Sequence, residues 1–177
     1  MKTLVLLSHP NYANSRVNKA LFSTASSIGG DISVRHIEAV YGLDTSKIDA
    51  KTEQALIEGV DRVVLQFLLY WFYSPAMLKA YIDAVFTRGW AYGSTGTALI
   101  GKELQLVVTA GAGEAEYSPQ GSVKSSIEQI LLGFHSTATY CGMVFNKIKF
   151  IGGALNMSDE ELTLACDEYK TLLTDSE

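Results

Sequence analysis

Four consecutive aromatic residues, at positions 70–73 (Tyr-Trp-Phe-Tyr), are the strongest chemical feature of the sequence. They follow a predicted strand at residues 62–67, whose run from Val63 onward is apolar, rich in branched side chains and typical of a strand buried on both faces. Ser74 and Pro75 then predict a helix start, with Ser74 as the N-cap and Pro75 at the first helical position. In an open α/β fold, ligands bind at the carboxyl ends of the strands. The run therefore predicts a site for a planar ligand.

A polar loop after the first predicted strand carries groups suited to phosphate. Residues 9–18 bring hydroxyl, amide and cationic side chains to the start of a helix predicted from about residue 15 to 27. A helix amino terminus binds phosphate well because its first N–H groups are unpaired. Ser15 can equally be an ordinary N-cap, so this loop by itself leaves both interpretations open.

A third candidate loop contains small residues. Positions 109–114 read Thr-Ala-Gly-Ala-Gly-Glu, and such residues let a backbone approach a ring closely. A tight turn without any ligand would have the same composition. Tyr117, just beyond the loop, is a candidate hydroxyl donor in a pocket, although surface tyrosines are common.

The elements that must position these loops alternate between strand and helix. Strands are predicted at residues 3–7, 32–37, 62–67, 102–109 and 147–151, with helices at about 15–27, 52–58, 75–86 and 122–137 and a last helix opening at Ser158. This alternation predicts an α/β fold with a parallel sheet covered by helices on both faces. In the flavodoxin-like strand order 2-1-3-4-5, the loops after strands one, three and four meet at one switch point. We predict a single domain over residues 1–177.

Several other classes of protein are disfavoured. The chain has no G-x-G-x-x-G motif and no P-loop. Its 14 basic and 19 acidic residues argue against a nucleic-acid partner. Cys141 and Cys166 are too far apart in sequence to suggest a disulfide framework or a metal site, which favours a reducing cytoplasm. The longest apolar stretch, residues 63–73, is too short to span a bilayer. We therefore predict a soluble cytoplasmic protein without a metal.

Several motifs occur in one order along nearly the whole chain. They are His9-Pro10 with Ser15-Arg16-x-Asn18-Lys19-Ala20-Leu21, Gln66-Phe67 through Trp71-Phe72 to Pro75-Ala76-x-Leu78-Lys79, Gly89-Trp90-Ala91-Tyr92-Gly93, and Thr109-Ala110-Gly111. Together they resemble the NAD(P)H:quinone oxidoreductase family of flavodoxin-like flavoproteins. Within that family, the Gly89 motif, Gly96-Thr97-Ala98-Leu99-x-Gly101-Lys102 and Tyr140-Cys141-Gly142 most resemble the ancillary oxidoreductases of glutathione-gated potassium efflux systems.

The resemblance implies a flavin and a ping-pong cycle, in which NAD(P)H gives a hydride to the flavin and a quinone then takes two electrons. The short chain favours FMN over FAD. The family is typically homodimeric, with both subunits contributing to each site. The resemblance implies a role for four groups of residues. For the phosphate and ribityl end of the flavin these are His9, Ser15, Asn18 and, less directly, Arg16. For the flavin ring they are backbone groups around Tyr70, Trp71 and Phe72, together with Thr109, Gly111 and Ala112. Tyr117 would lie near the hydride-accepting face, and Trp90 and Tyr92 would line the acceptor pocket.

Two departures from the family pattern and three alternatives accompany this interpretation. Leu68 stands where the family usually has proline, and Val123 stands where larger members have a proton-relaying histidine.

The alternatives are a regulatory subunit that docks on a potassium efflux transporter at the inner face of the membrane, an azoreductase or nitroreductase using the same flavin, and a non-catalytic NAD-binding module. The last is disfavoured because the glycine fingerprint is missing.

Overall fold

A parallel six-stranded sheet forms the centre of the fold, in a computed structural model that describes residues 1–175. The strands are β1 (Thr3–Ser8), β2 (Ile32–His36), β3 (Arg62–Leu68), β4 (Glu103–Thr109), β5 (Val144–Phe145) and β6 (Lys149–Ile151). Their order is β2-β1-β3-β4-β5, and β6 also pairs with β4. The predicted flavodoxin-like α/β fold and strand order are therefore confirmed. The predicted domain runs to residue 177, and its last two residues lie outside the described part.

The fifth position of the sheet differs from the prediction of one strand at residues 147–151. β5 pairs with the start of β4, at Glu103 and Leu104, whereas β6 pairs with its end, from Val107 to Thr109. Between the two, the buried side chain of Gln105 donates from Nε2 to the carbonyl of Lys147, at 2.8 Å. A side-chain amide thus takes the place of a ladder hydrogen bond, and the strand is divided in two.

Helices cover both faces of the sheet. They are α1 (Arg16–Ile28), α2 (Ile37–Tyr41), α3 (Ala50–Glu58), α4 (Ala76–Val85), α5 (Ile127–Ile130), α6 (Leu132–Tyr140) and α7 (Asp159–Thr174). Val5 and Val64 pack against α1 and α7, and their strand neighbours Leu4 and Val63 pack on the opposite face against the other helices. Both cores follow from the alternation of side chains along fully buried strands. No helix within residues 1–175 is long and apolar enough to cross a membrane.

The helix boundaries in the structure agree with some of the helix starts predicted from the sequence and differ from others. The last helix opens at Ser158 as predicted, with a capping box in which Ser158 Oγ accepts from the Glu161 N–H while the Glu161 carboxylate accepts from the Ser158 N–H. The prediction of Ser74 as an N-cap is wrong. Pro75 is itself the N-cap, with extended ψ of 148°, and its carbonyl accepts from the N–H of Leu78 at 3.0 Å. The helix predicted over 122–137 begins only at Ile127 and is interrupted at Leu131.

Candidate active site at the carboxyl edge of the sheet

The four aromatic residues after β3 form a tight turn at the carboxyl edge. Tyr70 and Tyr73 exchange two backbone hydrogen bonds, of 2.8 and 3.1 Å, which leaves Trp71 and Phe72 at the two central positions. Both central residues have positive φ, 48° and 64°, as in a type I′ turn, where Asn-Gly is the usual sequence. Within residues 1–175 the N–H groups of Trp71 and Phe72 have no hydrogen-bond partner. The turn therefore presents two free backbone donors and the side chain of Trp71, a residue that is 83% exposed.

Strain in this turn leads to a first testable prediction. Non-glycine residues in the left-handed region cost on the order of 1–3 kcal/mol each. Replacing Trp71 by Asn together with Phe72 by Gly is expected to raise the free energy of unfolding by about 1–3 kcal/mol in urea denaturation. Tyr73→Ser is the matched control, because it removes an exposed ring from the same turn without changing a positive φ. An Asn-Gly variant no more stable than the original chain would contradict the strained-turn interpretation.

β3 runs through Leu68, the residue that stands where the family has proline. Leu68 pairs with Thr109 in the ladder with β4, and the N–H of Leu69 donates to the Thr109 carbonyl at 2.8 Å. The strand is therefore regular up to the aromatic turn, and the leucine is accommodated without a break in pairing.

The loop after β1 presents, at the start of α1, donors that have no partner within residues 1–175. Ser15 is the N-cap of this helix, but its side chain makes no capping hydrogen bond. His9 is buried, and its Nδ1 accepts from the N–H of Asn11 at 3.2 Å, which places the proton of the neutral ring on Nε2. Burial lowers the pKa of His9, and the nearby Glu38 carboxylate offsets this only in part. At neutral pH the imidazole is therefore a neutral Nε2–H donor.

Arg16 and Asn18 are placed differently from Ser15. The Arg16 guanidinium pairs with Asp159 and donates to the carbonyl of Met157, so it fastens the start of α1 to the start of α7. Asn18 is buried, and its Nδ2 donates to Thr109 Oγ1 at 2.8 Å. The structure thus makes Arg16 a link between helices and Asn18 a support for the end of β4.

A buried chain of hydrogen bonds continues from Asn18 into the core. Gln66 Nε2 donates to Asn18 Oδ1 at 3.2 Å, and the hydroxyl of Tyr169 donates to Gln66 Oε1, also at 3.2 Å. Burial raises the pKa of Tyr169, so its hydroxyl remains a donor. The chain joins α1, β3, β4 and α7 directly beneath the carboxyl edge. Sequence reasoning missed Tyr169, since it reads as an ordinary buried position of the last helix.

The loop after β4 packs against the loop after β6, which the sequence analysis did not include. The carbonyls of Ala110 and Ala112 accept from the N–H groups of Ala154 and Gly153, at 2.9 and 2.8 Å. A Cβ on Gly111 would lie 2.9 Å from Leu155 Cδ1. The small residues predicted to lie against a ring therefore pack against the β6 loop on one side. Gly152-Gly153 is the sequence feature that could have indicated this packing.

Tyr117 lies at the same edge, just after a short 3-10 turn (Glu114–Glu116). Its half-buried ring packs edge-on against Phe150 of β6, with ring centroids 4.8 Å apart. Burial raises the pKa of the phenol, so it stays protonated at neutral pH. Val123, which the resemblance aligned with a histidine of larger members, donates its backbone N–H to the carbonyl of Glu116 at 3.1 Å. The hydroxyl of Tyr117 can thus donate a hydrogen bond, and position 123 supplies no imidazole beside it.

Trp90 and Tyr92 lie at the opposite, amino edge of the sheet. Trp90 Nε1 donates at 2.6 Å to the carboxylate of Glu58, the last residue of α3, shortly before β3 begins. The ring of Tyr92 packs against Tyr140, at 5.4 Å between centroids, at the end of α6 just before β5. Within one chain, the structure does not bring these two residues together with Tyr117 and the aromatic turn.

Comparisons with known proteins agree with this architecture. A family model described as a flavodoxin-like fold matches residues 1–173. The chain is 40% identical to the uncharacterized NAD(P)H oxidoreductase YrkL of Bacillus subtilis, over 92% of this chain and 91% of that protein. It is 33% identical to the glutathione-regulated potassium-efflux system ancillary protein KefF of Enterobacter sp., over 97% and 95% of the two chains.

Two solved structures are similar over essentially their full lengths. General stress protein 14 of Treponema denticola, in complex with FMN, superposes with a TM-score of 0.92 at 36% identity, covering 98% of each chain. An NADPH-quinone reductase from P. pentosaceus gives a TM-score of 0.90 at 25% identity and covers 100% of both. The resemblance predicted from the motifs, including that to potassium-efflux ancillary proteins, is confirmed by these matches.

Proposed function

The chain belongs to the family with the flavodoxin-like fold, and on this premise we propose that it is an FMN-dependent NAD(P)H:quinone oxidoreductase. The observation that carries the proposal is the set of free donors at one edge of the sheet. The N–H groups of Trp71 and Phe72 follow β3, and the hydroxyl of Ser15 and the imidazole of His9 follow β1. Relatives named as NAD(P)H oxidoreductases, and a similar structure that holds FMN, support the same conclusion.

The donors at this edge fit the two ends of FMN. Ser15, the first N–H groups of the 13-residue helix α1 and Nε2–H of His9 suit a phosphate, because they supply hydrogen bonds and the positive end of a helix dipole. The backbone donors of Trp71 and Phe72 suit the oxygen and nitrogen acceptors along the edge of an isoalloxazine ring. Thr109, Gly111 and Ala112 would border the ring on the β4 side, and the exposed ring of Tyr70 would add apolar contact.

Bound FMN would supply the redox chemistry, taking a hydride from NAD(P)H and passing two electrons to a quinone in a ping-pong order. The protein's part is to orient the reactants and to stabilise charge. The hydroxyl of Tyr117 would donate to the quinone oxygen on which negative charge develops. If that proton passes to the quinone oxygen, the phenolate of Tyr117 would regain a proton from water, since valine at position 123 supplies no imidazole.

Trp90 and Tyr92 would line the acceptor pocket only if a second copy of the chain supplied them. Their position at the amino edge of their own sheet is the observation that supports a homodimer with shared sites. In such an arrangement each acceptor pocket combines the Tyr117 side of one subunit with these two rings from its partner. Light scattering that gives the mass of one chain at assay concentrations would contradict this part of the proposal.

A second candidate function is that of a regulatory subunit for a potassium efflux transporter. The match to an ancillary protein of such a system, over nearly the whole chain, is the observation that favours it. Both roles can reside in one protein, because a docked subunit can also carry a flavin. Failure to co-purify with such a transporter, when the two are expressed together, would count against the regulatory role.

Separate measurement of the two half-reactions tests the proposed function. Under anaerobic conditions, NADH or NADPH is expected to bleach the visible absorption of the FMN-loaded protein, and a simple quinone is expected to restore it. Bleaching without reoxidation by quinones would favour the regulatory role. A loaded protein that neither nicotinamide can bleach would contradict the oxidoreductase assignment.

A further inference from the structure

Two residues at the carboxyl edge are the most exposed large apolar residues within residues 1–175. They are Trp71, on the aromatic turn after β3, and Leu155, on the loop after β6, and each is 83% exposed. Apolar residues that are exposed singly are common on protein surfaces. These two, however, lie on the loops at either side of the loop after β4, because β4 lies between β3 and β6 in the sheet.

The side chain of Leu155 lies against the loop after β4, at Gly111. A Cβ on Gly111 would be 2.9 Å from Leu155 Cδ1 and 3.2 Å from Leu155 Cγ, so a side chain at this position would displace the leucine. On its other side the β6 loop borders a cavity of about 360 Å³, which Asn156 and residues of α7 line and Leu155 does not. Leu155 is therefore directed at the β4 loop and away from this cavity.

The β6 loop is held in place at both of its ends. Near β6, two of its N–H groups donate to carbonyls of the β4 loop, at 2.8 and 2.9 Å. Near α7, the carbonyl of Met157 accepts from the guanidinium of Arg16, at the start of α1. The loop thus runs from the residues that would border the flavin ring to the helix start that would hold the phosphate, and Leu155 lies between the two.

An isoalloxazine ring above Gly111 would cover the side chain of Leu155. Covering a leucine that is otherwise exposed removes apolar area from water, which favours binding. Because the loop is already fixed, little conformational entropy would be lost when the ring binds. Ligand sites generally combine such apolar contacts with a few polar groups that set the orientation, and here the N–H groups of Trp71 and Phe72 supply the polar part.

We propose that Leu155 is a binding residue for the isoalloxazine ring, which lies over Gly111 between Leu155 and the aromatic turn. The inference rests on the proposed function, since it concerns the same FMN site, and it gives a role to a loop that none of the sequence motifs includes. The contact is apolar and involves only the ring. Leu155 therefore contributes equally to the affinities for FMN and for riboflavin, which lacks the phosphate.

Titration of Leu155→Ser with FMN and with riboflavin measures this contribution. We expect each dissociation constant to rise about tenfold, the order of magnitude that corresponds to losing the burial of a leucine side chain. The ratio of the two dissociation constants should stay the same. Ser15→Ala provides the contrast, because it is expected to weaken the binding of FMN and to leave the binding of riboflavin nearly unchanged.

Two further variants control for the loss of an exposed leucine. Leu164→Ser is the matched control, because Leu164 is a 60% exposed leucine on α7 that lines the cavity on the far side of the β6 loop. It is expected to bind both flavins as the original chain does. Leu155→Met keeps an apolar side chain of similar volume and is expected to retain most of the affinity.

Nuclear magnetic resonance of leucine methyl groups tests the contact in the original chain itself. The methyl resonances of Leu155, identified by their absence from Leu155→Met, are expected to shift when riboflavin is added, because an aromatic ring would then lie against them. The methyl resonances of Leu164 are expected to stay in place. This measurement does not depend on the folding of Leu155→Ser.

The outcomes separate this inference from the proposed function. Unchanged affinity for both flavins in Leu155→Ser, a loss confined to FMN, an equal loss in Leu164→Ser, or Leu155 resonances that riboflavin does not move would each overturn the inference and leave the FMN site standing. An original chain that binds neither FMN nor riboflavin would contradict the proposed function itself, and the inference with it.

Discussion

Tyr117→Phe is expected to slow quinone reduction about 10²-fold while leaving the affinity for FMN unchanged. The expected decrease in rate is that seen when a single preorganised hydrogen-bond donor to an oxygen that gains negative charge is removed. The substitution keeps the ring and its packing against Phe150, so the loop should hold its position. With valine at position 123, no imidazole from that position can take over the role of the lost hydroxyl.

Stopped-flow measurement of the oxidative half-reaction isolates this effect, because it follows the step in which the quinone oxygen gains negative charge. Tyr73→Phe is the matched control, since it removes an exposed hydroxyl near the same edge to which no role is assigned. Equal rates of quinone reduction in the original chain and in Tyr117→Phe would remove Tyr117 from the mechanism.

Glu53→Ala is expected to lower the free energy of unfolding by about 3–5 kcal/mol, because it leaves a largely buried cation without its partner. Glu53 is fully buried on α3, and its carboxylate accepts from Arg35 Nε at 2.8 Å, from the hydroxyl of Tyr81 at 3.0 Å and from the hydroxyl of Tyr41. These contacts join β2, α2, α3 and α4. Burial, together with the Glu53 charge, raises the pKa of Tyr81, so its hydroxyl remains a donor.

Urea denaturation of Glu53→Ala and of the exposed control Glu128→Ala measures this contribution. The control is expected to change stability by less than about 0.5 kcal/mol, as exposed surface substitutions usually do. The FMN affinity of Glu53→Ala should be retained where the variant is folded, because none of its contacts reaches the donor loops. A loss of stability no larger than that of the control would show that the network is not stabilising.

The sequence was sufficient for those parts of the fold that depend on local pattern. Branched apolar runs identified β1, β3 and β4 because strands buried on both faces are continuous in hydrophobicity. The loops after these three strands could then be placed at one edge by topology alone. α2 was missed because it is a single turn, although the spacing of Ile37 and Tyr41, both buried, is one helical turn.

The rest of the candidate site depends on contacts between residues far apart in sequence, for which the sequence offered little beyond Gly152-Gly153. The packing of Gly111 against Leu155 brings the β6 loop to the site across a large separation in sequence. The hydrogen bond from Ser8 Oγ to Glu38 Oε1 joins the end of β1 to the first turn of α2. Trp90 and Tyr92 were placed in the pocket by resemblance, and only the structure shows that they lie at the other edge of their own chain.

Titration of the purified chain with FMN tests the central claim most directly, namely that the donors after β1 and β3 form a flavin site. We expect saturable binding of about one FMN per chain at micromolar concentrations or below, with a shifted visible spectrum and weaker binding of riboflavin. The weaker binding follows because riboflavin cannot engage Ser15, His9 and the start of α1. A colourless protein whose spectrum and calorimetric trace show no uptake of added FMN would contradict the account.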